Sequence, residues 1–245
     1  MLIDDSKESK VIKQFCRFAH QYNTYNTIQA IVAKTLVEKI YKKKYTSIVD
    51  IGCGSGEIYK NIKISHLFFD KFIALDSSKE MLALHPSDLK VDKYQLDFDD
   101  INNKIFTKSN EDSLLISSSA IQWSKNLDTL IMNLSSLVDK AYFAIFTANT
   151  FKTLHEIANL DSPIYSEDIL KEVITKYYNA NFQLNSYQLE FETTREMFKY
   201  IKKSGVSGGE KQLSYKQIKQ LMKNYPLKYL EFEVLFVEAT PLIKV

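Results

Sequence analysis

The stretch Ser47-Ile48-Val49-Asp50-Ile51-Gly52-Cys53-Gly54-Ser55-Gly56-Glu57 passes from a short apolar, β-branched run into a glycine-rich turn and then toward a helical segment. The chain holds only six glycines, and three of them sit in this turn. Glycine there permits φ > 0 and lets a ligand approach main-chain N–H groups at a helix N-terminus without a Cβ in the way. The spacing is GxGxG, not the GxGxxG of dinucleotide sites, and no Gly-Lys-Ser/Thr follows, which excludes a phosphate-binding P-loop. Asp50, at the strand end, offers a carboxylate where a cationic amino group can be held. A second apolar run, Lys71-Phe72-Ile73-Ala74-Leu75, ends in Asp76, 20 residues past Gly56. From that place a carboxylate accepts hydrogen bonds from the two hydroxyls of a ribose.

Outward from this β-loop-α unit the alternation repeats. Before it, Ile28, Ile31, Val32, Thr35, Leu36 and Ile40 recur at helical spacing and predict one face of an amphipathic helix, ended by the lysines at 42–44. After Asp76, Ser77-Ser78-Lys79-Glu80-Met81 reads as a cap and helix start. A weak strand near 93–96, a stronger one at 113–118, a helix marked by Leu127, Leu130, Ile131, Leu134, Leu137 and Val138, and a strand at 141–147 follow. Strands alternating with helices predict an α/β fold, a mostly parallel sheet with helices on both faces. The segments 183–192 and 231–239 suit an antiparallel closing pair. Between them, Thr193-x-x-Glu196 is a capping-box pattern, Lys202-Lys203-Ser204-Gly205 a helix end, and Ser214 a second cap ahead of the stripe Tyr215, Ile218, Leu221, Met222, Tyr225. The expectation is one domain over 1–245, with an N-terminal helical cap at 1–44 and a helical lid at 193–225.

Composition bounds the function. At 45% hydrophobic and 25% charged residues the chain is an ordinary globular protein. No apolar run reaches the ~20 residues of a membrane span, and the opening MLIDDSKESK lacks the basic-then-apolar order of a secretory signal, so the cytoplasm is expected. Cys16 and Cys53 predict no disulfide framework, and the four histidines show no metal-ligand spacing. A net charge of +2 argues against a nucleic-acid binder. The charge is nonetheless uneven: Arg195, Lys199, Lys202, Lys203, Lys211, Lys216, Lys219 and Lys223 face only Glu196 and Glu210, eight basic against two acidic residues, a local +6. That stretch is either a surface for an anionic partner or a solvated lysine-rich helix face.

Asp50-Ile51-Gly52-Cys53-Gly54-Ser55-Gly56 with Asp76 resembles the first two signature motifs of the class I S-adenosylmethionine methyltransferases, over roughly residues 45–150. The resemblance implies a Rossmann-like, seven-stranded sheet with an antiparallel last strand and S-adenosylmethionine as cofactor. It puts the glycine loop at the methionine moiety, Asp76 at the ribose, Ser77 and Met81 at the cofactor's edge, Asp97 and Phe98 at the adenine, and Ser118 on the wall at the end of the fourth strand. Asp97 also reads as a strand-end turn residue.

Further stretches are similar to the malonyl-acyl carrier protein O-methyltransferase family of biotin synthesis. They are Val11-x-x-x-Phe15-x-x-x-Ala19-x-x-Tyr22 with Gln29, Ser119-Ala120-Ile121-Gln122-Trp123-Ser124, Phe146-Thr147 with Thr150-Phe151-x-x-Leu154-His155-Glu156, and Phe198-x-x-Ile201-Lys202-x-x-Gly205. Ser136-Leu137-Val138-Asp139-Lys140 departs from that family, which carries a longer turn with Gly and Pro there. The resemblance implies methylation of the free malonyl carboxylate on an acidic acyl carrier protein, with Tyr22, His155 and Arg195 as candidate substrate contacts. Each has a plainer alternative, Tyr22 as a packed ring and His155 as a helix-surface residue. A methyltransferase for another small acid, an RNA methyltransferase and a catalytically silent binding module stay open at this point.

Overall fold

The computed structural model describes residues 25–41, 43–101, 112–203 and 214–242. The elements, in chain order, are α1 (Thr27–Glu38), β1 (Lys44–Ile51), α2 (Glu57–Ile64), β2 (Phe68–Asp76), α3 (Lys79–Leu84), β3 (Val91–Gln95), β4 (Ser113–Ser118), α4 (Leu127–Ser135), β5 (Lys140–Phe146), α5 (Lys152–Ala158), α6 (Glu167–Thr175), β6 (Tyr178–Glu190), α7 (Thr194–Lys203), α8 (Tyr215–Asn224) and β7 (Tyr229–Pro241). Seven strands form one sheet in the order β3-β2-β1-β4-β5-β7-β6. Neighbours from β3 to β5 pair in parallel, and β7 runs antiparallel to both β5 and β6. The expected parallel sheet and antiparallel closing pair are therefore present. The sequence patterns left 148–182 without elements; the structure places α5 and α6 there, and they carry the crossover from β5 to β6.

The period of two along each strand sorts side chains into two cores. Tyr45, Ile48, Phe72, Ala74, Leu114, Ile116, Tyr142, Ala144 and Phe146 share one face with α1, α2 and the buried Met197 and Tyr200 of α7. Val49, Ile51, Leu75, Leu115, Phe143 and Ile145 lie on the other, under α4 and α6. Alternation continued to the strand ends puts Asp50, Asp76 and Ser118 on the α1 side. The register pairs Asp50 with Ala74 and Ile116, so the three strand ends sit side by side.

Local signals end the helices as read: Ser78 Oγ accepts the Met81 N–H at 3.1 Å, Thr193 Oγ1 accepts the Glu196 N–H at 3.2 Å, and Ser214 with Gln217 forms a capping box. The apolar stripe of α1 is rotated from the expected one. Ile31 is 43% exposed, and Gln29, Ala33 and Val37 join Ile28, Val32 and Leu36 in the interior. Among the described residues no helix is long and apolar enough to cross a membrane.

The glycine turn is held by steric necessity at its first position. Gly52 has φ +68, and a Cβ there would stand 2.3 Å from the Ala120 Cβ. Gly54 has φ +52 but meets only Met81 Cε, at 3.7 Å. Gly52→Ala should therefore destabilise the protein by about 2 kcal/mol or more, strain plus overpacking, and Gly54→Ala by about 1–2 kcal/mol, the left-handed conformation alone. Thermal unfolding of the two variants checks the order; equal losses would show that the approach to Ala120 is not limiting.

Candidate functional site

An open α/β sheet binds ligands beyond the carboxyl ends of its strands, where the strand order reverses. Here that point lies between β1 and β4. A small cleft, open to solvent, occupies it and is lined by Gly52, Cys53, Gly54 and Ser55 of the turn, Asp50, Ser118 and Ser119 at the strand ends, Glu57 and Ile58 of α2, and Gln29 and Ala33 of α1.

Asp50 is the chemical centre of this cleft. Its side chain is fully buried, and neither carboxylate oxygen has a hydrogen-bond partner among the described residues. Burial raises its pKa well above the ordinary carboxylate value, and the negative charge of Asp76 raises it further. A buried, uncompensated carboxylate is costly unless a cation or donor meets it. Beside it, Gln29 Oε1 is also buried without a partner. Two orphaned acceptors against one cleft wall fit a ligand that brings N–H donors or positive charge.

Asp76, at the end of β2, stands beside the glycine turn that lines the cleft. Its Oδ2 accepts the Gly54 N–H at 2.9 Å and its Oδ1 the Ser78 N–H at 2.8 Å. Burial pushes its pKa up to about 6, against the lowering effect of those two N–H groups. The two bonds fix the carboxylate beneath the turn and leave lone pairs for hydroxyls of a ligand. Ser119 adds a backbone signature: a non-glycine residue at φ +62, in the cleft wall. Its carbonyl accepts from Gln122 Nε2 at 2.7 Å.

The structure thus brings Asp50, Gly52, Gly54 and Ser118 together around one opening, with Asp76 and Met81 against the turn beside it. Met81 is buried, next to Gly54. Gly56 plays a different part: it precedes α2 and packs on Pro86 and His85 rather than lining the cleft. Ser77 is half-buried, and its carbonyl accepts from Gln95 Nε2 at 3.3 Å. Asp97 accepts the Asp99 N–H at 3.1 Å and lies 3.5 Å from Lys125 Nζ, so it serves as a turn residue whatever else it contacts. Phe98 is half-buried against the α4-side core.

The three candidate substrate contacts fall elsewhere. His155 sits half-buried on α5 with Nδ1 buried and unpartnered, burial holds its pKa below the usual histidine value, and it does not line the cleft. Arg195 is exposed on the first turn of α7. Tyr22 lies outside the described residues. Patterns in the sequence missed Gln29 as a cleft residue, although a lone amide inside an apolar helical stripe was a usable signal. Cys53, Ser55, Glu57 and Ser119 were missed too. Ser119 carries no such signal, because nothing in its identity announces a positive φ.

No family model matches the chain. It is similar to a malonyl-[acyl-carrier protein] O-methyltransferase from Bacillus cereus, 29% identical over 152 residues, 58% of this chain and 55% of that protein. It is also similar to one from Buchnera aphidicola, 25% identical over 234 residues, 89% and 91% of the two chains. The match to the Bacillus cereus relative spans little more than half of that protein. Among solved structures, a chain of the Haloferax volcanii complex between the Trm112 methyltransferase activator and a methyltransferase aligns with TM-score 0.63 at 13% identity, over 97% of this chain and all of that one. The Haemonchus contortus phosphoethanolamine N-methyltransferase 2, in complex with phosphomonomethylethanolamine and S-adenosylhomocysteine, aligns with TM-score 0.57 at 13% identity, over 95% and 60%. These likenesses establish the Rossmann-like fold of the class I methyltransferases. Within that class, the curated sequences similar to this chain carry the malonyl-carrier name.

The unpaired state of Asp50 sets a stability test. A carboxyl whose folded-state pKa is raised contributes stability that is present below the unfolded value and lost as pH rises through the folded one. Above the unfolded value Asp50 therefore destabilises the unliganded protein. Asp50→Asn should raise its melting temperature at pH 7.5, by the equivalent of about 1–3 kcal/mol. The gain should shrink as pH falls toward the ordinary carboxylate range. Melting curves of both proteins from pH 7.5 to 5 measure this; a pH-independent difference would contradict it.

Proposed function

We propose that this chain is an S-adenosylmethionine-dependent methyltransferase that esterifies the free carboxylate of a malonyl thioester on an acyl carrier protein. The buried, unpartnered Asp50 at the switch point carries the cofactor half of the reading, and the names of the similar curated proteins support the substrate half. When bound, S-adenosylmethionine supplies an electrophilic methyl group to a carboxylate oxygen, leaving S-adenosylhomocysteine and a methyl ester.

The chain's own residues bind, align and exclude water. Asp50, with Gln29 beside it, receives the ammonium group of the methionine moiety, and the glycine turn admits that moiety against the main chain. Asp76 accepts the ribose hydroxyls. Ser77 and Met81 edge the site, Ser118 forms the opposite wall, and Asp97 and Phe98 meet the adenine. No strong base is required, because a malonyl carboxylic acid is already ionised at neutral pH. The rate comes from alignment, where reacting atoms held ~3–3.5 Å apart can be worth ~7–11 kcal/mol. Charge is neutralised as the methyl group moves, so a site that binds the carboxylate with a few hydrogen bonds, from Tyr22, His155 or Arg195, outperforms a dense cationic clamp.

The helices α7 and α8 act as lid and docking face. Met197, Tyr200, Leu221 and Tyr225 anchor them inward, while Arg195, Lys199, Lys202, Lys216, Lys219 and Lys223 stay exposed. An acidic carrier protein would be steered to that surface, and salt would screen the encounter.

Incubating the chain with S-adenosylmethionine and malonyl-carrier protein should add one methylene unit to the carrier's intact mass, at a rate that falls with ionic strength. Free malonyl thioester should react more slowly and with little salt dependence. Methylation of a different acid with none on malonyl-carrier protein would reject the substrate. A second measurement addresses the cofactor. S-adenosylhomocysteine should bind the wild type, with affinity falling as pH drops through about 6 and Asp76 protonates, and Asp76→Ala should weaken binding at pH 7.5.

A further inference from the structure

We propose that Asp99 is a positioning residue for the purine end of the cleft, its carboxylate tying the turn that follows β3 to the segment that follows β4. The inference rests on the cofactor reading above and goes beyond it, since both oxygens of Asp99 are taken up by protein donors.

Residues 98–100 form a single 3-10 turn. One such turn has too few hydrogen bonds of its own to hold a place against solvent. Its position is instead set by side chains from distant segments. Asp99 Oδ1 accepts the Ser124 hydroxyl at 2.6 Å and Oδ2 accepts the Lys125 N–H at 3.0 Å. Both oxygens of the carboxylate are thus used, one donor from each of two consecutive residues, in charge-assisted bonds stronger than neutral ones. Lys125 also reaches back, its Nζ 3.5 Å from Asp97. Ser124 is itself fixed: its hydroxyl accepts the Asn126 N–H at 3.3 Å, and its carbonyl accepts the Tyr165 hydroxyl at 2.7 Å. Beyond the turn, Asn133 Nδ2 of α4 donates to the Ile101 carbonyl at 2.8 Å.

The turn is therefore anchored on both sides to α4 and its leading loop, and Phe98 sits between the anchors. On the far side of the same leading loop, Ser118 and Ser119 form the cleft wall. Asp99 sets the spacing between Phe98 and that wall, and a planar base needs this spacing held. The pair Asp99–Ser124 lies 25 residues apart in sequence and joins two strand ends separated in the sheet by β2 and β1.

The test is titration with ligands that do and do not carry the base. Asp99→Ala should raise the dissociation constants of S-adenosylhomocysteine and adenosine about tenfold, the loss of a charge-assisted pair. S-ribosylhomocysteine, which lacks the purine and is followed by NMR line broadening, should bind wild type and variant alike. Ser124→Ala should reproduce part of the effect, because the Lys125 N–H still holds Asp99, Ser124→Thr should restore affinity through its hydroxyl, and the double variant Asp99→Ala/Ser124→Ala should be no worse than Asp99→Ala alone. An equal loss for S-ribosylhomocysteine, or full retention of S-adenosylhomocysteine affinity in both single variants, overturns the inference while leaving the cofactor reading intact. A wild type that binds no S-adenosylhomocysteine overturns both.

Discussion

The structure turns on one constraint: a carboxyl group, Asp50, buried at the carboxyl end of the interior strand β1 with no hydrogen-bond partner among the described residues. Strand β1 is hydrogen-bonded on both sides, by β2 and β4, so its end cannot move aside to hydrate the charge. The surroundings do not neutralise it either, since the charge that acts on it is that of another acid, Asp76. Folding therefore delivers an unsatisfied carboxyl group to the floor of a cleft, and the energy that packs the sheet holds it there. A ligand with an ammonium group recovers what the fold gives up.

The turn above that floor shows how backbone and side chain divide the work. Gly52 is excluded from carrying a side chain by Ala120, which brings β1 and the segment after β4 into contact at the switch point. Gly54 uses its N–H to hold Asp76, so the acid at the end of β2 is locked to the turn at the end of β1. Ser78 does the same from the start of α3 while its hydroxyl caps that helix. One carboxylate thereby organises two βα connections.

Much of this was legible before any coordinates. β-branched runs with helical spacing between them announce a wound sheet, and three of six glycines in five residues mark the turn that lines the cleft. What stayed hidden has physical causes. The stripe of α1 was misjudged at Ile31 because period alone cannot tell which of two adjacent columns faces the sheet; tertiary packing chose the one holding Gln29 and Ala33. Residues 148–182 carry two short helices, α5 and α6, whose existence depends on covering a sheet already formed. His155 and Arg195 have the right chemistry but belong to elements whose placement no local pattern sets, and neither lines the cleft.

The distribution of charge on the finished molecule follows from the chemistry proposed for it. Joining a cation to an anion with loss of both charges is fastest where neither is held tightly. The described cleft accordingly offers acceptors for an ammonium group but no Lys or Arg among its lining residues. Lys199, Lys202, Lys216, Lys219 and Lys223 stand instead at exposed positions of α7 and α8, outside that lining. In the reaction proposed, moving those charges inward would strengthen ground-state binding of the carboxylate and slow methyl transfer.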